Sequence, residues 1–505
     1  MYFCNYLLHS VIKSIPMNDS IHKLLVNLFF LFPLLISAYA QVSPLDYGLR
    51  EATNGIDRYH ALYRAHTEAV ARGLNVSYEG IDTLHLELPP DFKSVPLGTY
   101  TDFGGLVLYV TNHSAHGALF SRIATSHPVS FDKSLIDSLD FRSLPELATG
   151  HHLLVLEDLT PWTERRGYGY QQYRRDILVL NNGIAENAPV TSWNTDSTQL
   201  KATYYDFSPD LNIEVKNLTL HRVKGSTFRT YCLALVGQQG VTVSNIRVTT
   251  PRSRMIADGV FSISNCANLL FDRDTVEGTY SGYGTSRNYG YAFSMNNVYK
   301  SSFTHIKAYG NWGVFGTNNL SNTYLGDCDV DRFDIHCYGR DVQLKNCTLR
   351  GRQTLFSSMY GTVVFDSCHF IDYTPVRVRS SYNAYTPFDI IIKDCTFELT
   401  RRYHSIVQID MLDTADNPRP ELNPKCWPNL KVDNLTVVVP ATIRTMNIFN
   451  PKGNVKELRR EFDYINKVEI NGLNSVRPNG KPYKLSLRLS TKDFKTKTPL
   501  NYSVK

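Results

Sequence analysis

Along most of the chain, apolar and polar residues alternate in short runs that repeat a unit of eight: two apolar residues at alternate positions, two turn residues, then a second apolar pair. Clear copies are Val241, Val243, Ile246, Val248, then Thr323, Leu325, Cys328, Val330, then Val342, Leu344, Cys347, Leu349, then Ile390, Ile392, Cys395, Phe397. A period of two marks strands with one buried face. Taking the third apolar position as a reference aligns Leu218, Ile246, Asp274, Ile306, Cys328, Cys347, Cys368, Cys395, Leu435 and Leu473. The intervals run from 19 residues, between Cys328 and Cys347, to 40, between Cys395 and Leu435. The short ones suit a coil of three brief strands and tight turns, and the long ones carry loops on that coil. One coil cannot bury its own apolar edge, so coils must stack. Ten of them at a strand spacing of ~4.8 Å make a rod about 48 Å long.

Asn265, Asn297 and Asn319 each stand nine residues before a reference position. Repeating turns would stack them, and stacked amides hydrogen-bond along a rod; asparagine also favours turns for its own sake. The repeat and this asparagine column resemble the right-handed parallel β-helix of the pectate-lyase-like superfamily. The resemblance implies an all-β fold, a right-handed parallel β-helix (solenoid) of about ten coils, and points to a secreted bacterial polysaccharide or glycosaminoglycan lyase. Asp274 breaks the apolar rule, which leaves two readings open: a bulge in that coil, or a buried carboxyl with a partner.

Residues 1–40 read as a signal peptide: Lys23, an apolar run from Leu24 to Ile36, then Ala38-Tyr39-Ala40 before Gln41, with Met17 an alternative start. No other stretch is apolar and long enough to span a bilayer. A secreted or periplasmic protein is expected. Residues 41–112 are expected to supply an N-terminal capping helix over 53–72, from Ile56, Tyr59, Leu62, Tyr63, His66 and Val70 at helical spacing, and the lead-in strands. Residues 113–210 are expected to form loop-rich early coils, 211–480 the β-helix proper, and 481–505 a C-terminal edge cover. Cys328, Cys347, Cys368 and Cys395 share one inward position, which predicts free thiols acting as small apolar residues.

Chemistry concentrates in Asp331-Arg332-Phe333-Asp334-Ile335-His336-Cys337-Tyr338-Gly339-Arg340, in the shortest coil, where the outer surface should be uncovered. Pointing Phe333, Ile335 and Cys337 inward sets Asp334, His336 and Tyr338 outward with Arg340 at the following turn; a strict count from Cys347 would instead align His336 with inward residues such as Ile263 and Met295. The first register buries more apolar surface. Elimination at a uronic acid needs a cation at the carboxylate, a base for the C5 proton and an acid for the leaving oxygen. Arg340, His336 and Tyr338 are the catalytic candidates for these roles. Arg287, Asn288, Tyr289, Asn311, Trp312, Arg352 and Tyr360 are candidate substrate contacts on neighbouring coils. Asp327, Asp329 and Asp331 compete as hydrolase carboxylates or a Ca2+ site; otherwise no cofactor is required.

The net charge is +6, with cations and aromatics clustered at Trp162, Arg165, Arg166, Tyr168, Tyr170, Tyr173, Arg174 and Arg175 and again near Arg377 and Arg379. Such a surface suits an anionic polysaccharide, since Arg binds carboxylate or sulfate in bidentate fashion. The expectation is a monomeric polysaccharide lyase cleaving uronic-acid chains by β-elimination, glycosaminoglycan such as chondroitin sulfate or hyaluronan ahead of pectin. Neither nucleic acid nor membrane is an expected partner. A β-helix glycoside hydrolase using Asp carboxylates, and a non-catalytic glycan-binding protein, are the alternatives.

Overall fold

The computed structural model describes residues 41–112, 116–165, 170–190, 193, 199–223, 229–250, 259–278, 290–310, 313–350, 354–371, 376–378, 388–399, 405–410, 428–440, 442–452 and 467–488. They form a parallel β-helix. All ten reference positions fall in register: Leu218 pairs with Ile246, Thr275 with Lys307, Asp329 with Thr348, Thr348 with His369, Thr396 with Thr436, and Leu435 with Leu473, the reference residue always at or one before these partners. The stack also extends N-terminal to Leu218, because Leu84 pairs with Leu108 and Leu108 with Leu220.

The local cause is a left-handed residue at each corner. Every reference position follows one, at Asn217, Asn245, Arg273, His305, Asp327, Asn346, Ser367, Asp394, Asn434 and Gly472, with φ between 51° and 71°. The two turn residues of the eight-residue unit are therefore a sharp corner between two faces of the coil. Outside glycine, asparagine and aspartate tolerate this conformation best. Their side chains also link coils: Asn245 donates to Asn217 at 2.8 Å, Asn346 to Asp327 at 3.2 Å and Asn434 to Asp394 at 2.7 Å.

Long strands such as Gly259–Asp272 and Tyr291–Thr304 turn a second corner through left-handed pairs, Asn265 with Asn268 and Asn297 with Lys300. Here the expected asparagine column exists: Asn297 donates to Asn265 at 3.0 Å and Asn319 to Asn297 at 2.5 Å. The interior between the corners is a column of rings. Phe261, Phe293 and Phe315 stack at 4.8 and 5.1 Å, and Phe271 and Phe303 at 5.2 Å. Cys328, Cys347, Cys368 and Cys395 lie buried as free thiols, like Cys232 and Cys266, whose thiols burial pushes up to about 12.

The helix Gly55–Arg72 starts at Asn54, which accepts from Asp57 N at 2.8 Å, and ends at left-handed Gly73. Leu62, Ala65, His66 and Ala69 form its buried stripe against Thr83–Leu88 and Val95–Pro96, while Val70 faces solvent. His66 is enclosed between Pro96 O at 3.0 Å and the Tyr78 hydroxyl at 2.5 Å, and burial lowers its imidazole to about 4.

Residues 127–207 depart from the expected early coils. His127–Val129, His151–Arg165, Tyr170–Asn181, Ile184–Ala185 and Leu200–Phe207 form an antiparallel sheet, inserted between the parallel strands His116–Ile123 and Ile213–Arg222. Its runs Leu153-Leu154-Val155-Leu156 and Ile177-Leu178-Val179-Leu180 are apolar at every position because both faces are buried. Leu154, Leu156, Leu178 and Leu180 pack with Phe141 and Trp193, whereas Leu153, Val155, Ile177 and Val179 pack with Tyr205 against Ala267 of the β-helix.

Asp274 faces inward. Its Oδ1 accepts from Ile246 N at 2.8 Å, and burial pushes the carboxyl well above the ordinary carboxylate range. The folded chain thus keeps a proton that the unfolded chain releases above its value of ~3.9, so this group lowers stability as pH rises through that point. Asp274→Asn retains the acceptor and removes the titration. It should be more stable than the parent at pH 7, with the gap closing as pH falls toward ~4 in denaturant titrations; a gap independent of pH would refute the neutral buried carboxyl. Asn297→Ala should cost about 2 kcal/mol because it loses the amide bonds that offset a Cβ in the left-handed region, and Asn297→Gly, which also removes that Cβ, less. Equal stability of both variants and the parent would remove the ladder from the account.

Candidate functional site

His336 owes its position to a slip in register. Thr317 pairs with Ile335 and Asn318 with Cys337, which leaves His336 as an extra residue bulged out of the strand Asp334–Lys345. Bulges re-aim side chains in this way. Phe333 and Ile335 are buried inward, in line with the register that favours apolar burial, and Ile335 takes the column of Ile263 and Met295.

Four groups meet on this face. His336 Nε2 lies 2.9 Å from Asp334 Oδ2 and 2.9 Å from the Tyr291 hydroxyl, and Arg332 Nη2 donates to the same Asp334 oxygen. Asp334 is buried, while the His336 side chain keeps 15% of its surface. Tyr291 comes from an earlier coil, where it pairs in register with Gly313 of the next rung. The same Nε2 thus faces both a buried carboxylate oxygen and a phenol hydroxyl, residue types that serve in proton transfer.

Tyr338 and Arg340 belong to the scaffold, which corrects their expected catalytic roles. The outer surface here is covered by the inserted sheet. Tyr338 is 1% exposed and left-handed at φ 32°; Leu320 pairs with Gly339, so Tyr338 sits on the rung beyond Asn319. Its hydroxyl donates to Arg175 O and accepts from Arg175 N. Asn319 likewise donates to Arg175 O, Asn297 to Asp176 O at 3.4 Å, and Asn265 to the Tyr205 hydroxyl at 3.2 Å. Tyr205 also lies over the corner at left-handed Gly237, where a Cβ would approach its ring to 2.3 Å. Arg340 donates to Pro189 O and Val190 O at 3.1 Å each, and Asp176 holds the same segment through Val190 N at 2.9 Å and Trp193 Nε1 at 2.7 Å.

The basic aromatic loop is likewise neutralised where it is described. Arg174 is 2% exposed, donates through Nε to Asp158 at 3.1 Å and lies over Trp193, and Arg175 is paired with Glu157. Of the carboxylate set, Asp329 accepts from Arg350 at 2.7 and 2.9 Å, Asp327 accepts from Asn346, and Asp331 is half-buried. Asp329 sits below the usual carboxylate range because the Arg350 and Tyr309 bonds outweigh its desolvation. A Ca2+ site would have to displace that Arg350 pair. Among the described residues, no three His, Cys, Asp or Glu are placed to share a metal ion. Tyr360 is half-buried, paired in register with Arg340; Arg287, Asn288, Tyr289, Asn311, Trp312 and Arg352 lie outside the described residues.

No family model and no curated protein matches the chain. Solved structures do. The Gp54 tailspike of Acinetobacter baumannii bacteriophage AP22, in complex with A. baumannii capsular saccharide, is 10% identical over 92% of this chain and 79% of its own, with a TM-score of 0.48. The tailspike gp61 of Pseudomonas phage phi297 is 11% identical over 86% of this chain and 80% of its own, TM-score 0.45. The tailspike gp49 of Pseudomonas phage LKA1 is 11% identical over 82% of this chain and 81% of its own, TM-score 0.42. Likenesses of this size carry no inference about chemistry.

Tyr338→Phe removes the hydroxyl that holds Arg175 while keeping the ring. It should lower stability by about 1–2 kcal/mol and speed amide exchange in Tyr170–Asn181, with smaller changes elsewhere in the β-helix. Unchanged exchange in that strand would detach Tyr338 from the docking of the sheet.

Proposed function

We propose that this chain is an exported enzyme that cleaves a uronate-containing anionic polysaccharide by β-elimination at the cluster of His336, Asp334 and Tyr291. The observation that carries the reading is the meeting of a half-buried imidazole with a buried carboxylate and a phenol at 2.9 Å each, on the outer face of a β-helix. His336 would take the C5 proton, with Asp334 stabilising the imidazolium that results. Tyr291 would return a proton to the leaving oxygen, the role first expected of Tyr338. Arg377, half-buried, stands two rungs on from Asp334 in the same outward column, about 10 Å along the axis, and is the candidate to face the substrate carboxylate in place of Arg340. The reading asks for no cofactor. A hydrolase is less well supported, because Asp329 is held by Arg350 and Asp334 by Arg332 and His336. Glycosaminoglycan over pectin rests on the net charge alone.

The test is incubation of the purified chain with hyaluronan, chondroitin sulfates, alginate and polygalacturonate, following the ultraviolet absorbance of an unsaturated uronate. Elimination should produce that chromophore, and His336→Ala should lower kcat by roughly 10²–10⁴-fold. New reducing ends without the chromophore would transfer the chemistry to a hydrolase, and an active His336→Ala would move the site elsewhere.

A further inference from the structure

Outside the His336 cluster, the seam between the inserted sheet and the β-helix encloses a cleft of about 270 Å³ lined by Glu157, Arg175, Lys201, Thr203, Tyr205 and Asn265 among others. Its origin is visible in the strands. On the sheet face toward the β-helix, successive residues run Leu153, Val155, Glu157 on one strand, Val179, Ile177, Arg175 on the next, and Tyr205, Thr203, Lys201 on the third. All three change from apolar or aromatic to charged together, where the sheet leaves its contact with Ala267. The charged residues stand directly opposite one another, Lys201 against Glu157 and Glu157 against Arg175, as a cross-strand row of plus, minus, plus.

We infer that this cleft is a binding subsite for one carboxylated sugar residue. Its volume lies just below the range of drug-sized pockets, which is the scale of a single pyranose. One carboxylate between two cations leaves a net charge of +1, matched by a monoanion. Arg175 is committed to Glu157, at 2.5 and 2.9 Å, whereas Lys201 lies 3.8 Å from it with 57% of its side chain exposed, and so is the cation placed to meet a ligand carboxylate. Thr203 and Tyr205 supply hydroxyl groups suited to a polyol, the Asn265 amide holding the Tyr205 hydroxyl in place. Asn265 is three rungs from Tyr338, about 14 Å along the axis, so the subsite would hold a chain at a distance from the reacting bond. The inference rests on the uronate reading above and adds to it where a distant residue of the chain is held.

Saturation-transfer NMR with glucuronate and with glucose tests it on the full chain. Glucuronate should bind and glucose at least tenfold more weakly. Lys201→Glu should weaken glucuronate at least tenfold, and Lys201→Met less. Equal binding of the two sugars, no binding of glucuronate, or an unaffected Lys201→Glu would each overturn the subsite. Glucuronate binding without cleavage of any polysaccharide would keep the subsite and remove the lyase; cleavage with no effect at Lys201 would do the reverse.

Discussion

The left-handed corner is the constraint from which the rest follows. A β-helix must turn sharply without interrupting the parallel hydrogen bonds above and below, and a single residue near φ 55° achieves this. An L side chain in that region loses about 1–2 kcal/mol unless it is glycine or gains local hydrogen bonds. Asparagine meets the condition twice, since its amide both tolerates the conformation and bonds the same amide on the next coil. Asn265, Asn297 and Asn319 therefore fix the register of their coils as well as the bend, and a slip of one residue would strand the amides and turn the Phe261, Phe293 and Phe315 rings outward together.

The corner also explains why the inserted sheet lies where it does. An amide has more hydrogen-bonding capacity than its ladder uses, and the surplus donors point outward. Arg175 O, Asp176 O and the Tyr205 hydroxyl receive them, so a column that organises the β-helix doubles as the dock for the sheet. Tyr338 continues the column with a residue poorly suited to left-handed backbone, and its two bonds to Arg175 offset that strain. Because Tyr338 is pinned, the residues just before it must absorb any mismatch in length between neighbouring coils. The bulge at His336 is that mismatch, and it turns the imidazole toward Asp334 and Tyr291.

Legibility in the sequence followed the same physics. The stretch from one face through the corner to the next was readable because alternation is strict there and the turn residue is usually Asn, Asp or Ser; even Asp274 held its place in the count. The inserted sheet was not readable as coils because it buries both faces: Leu153 to Leu156 and Ile177 to Leu180 lose the period of two that marks a half-buried strand. Its cations looked like a ligand surface, since sequence cannot show that Arg174 faces Asp158 from a neighbouring strand. Alternation within one strand is enough to set His336 and Asp334 side by side. Alternation alone places Tyr338 outward because it presumes extended backbone, which φ 32° violates. Tyr291 and Arg332 were missed as members of the cluster; the signal for Tyr291 was its register opposite Gly313, visible only once coils are aligned across a loop of variable length.

Covering this face has a chemical consequence as well as a structural one. The sheet buries Tyr338 and engages Arg340 through its backbone, two and four residues beyond the imidazole that contacts the buried Asp334 carboxylate. Electrostatic interactions strengthen as water is excluded, so the pairing of Asp334 with His336 is worth more there than on an open rod. The insertion thus does for this face what a loop does in an open site, but it is held by backbone bonds to a rigid ladder rather than by side chains alone. That wall carries its charges in fixed cross-strand pairs along the seam, Lys201 and Arg175 on either side of Glu157.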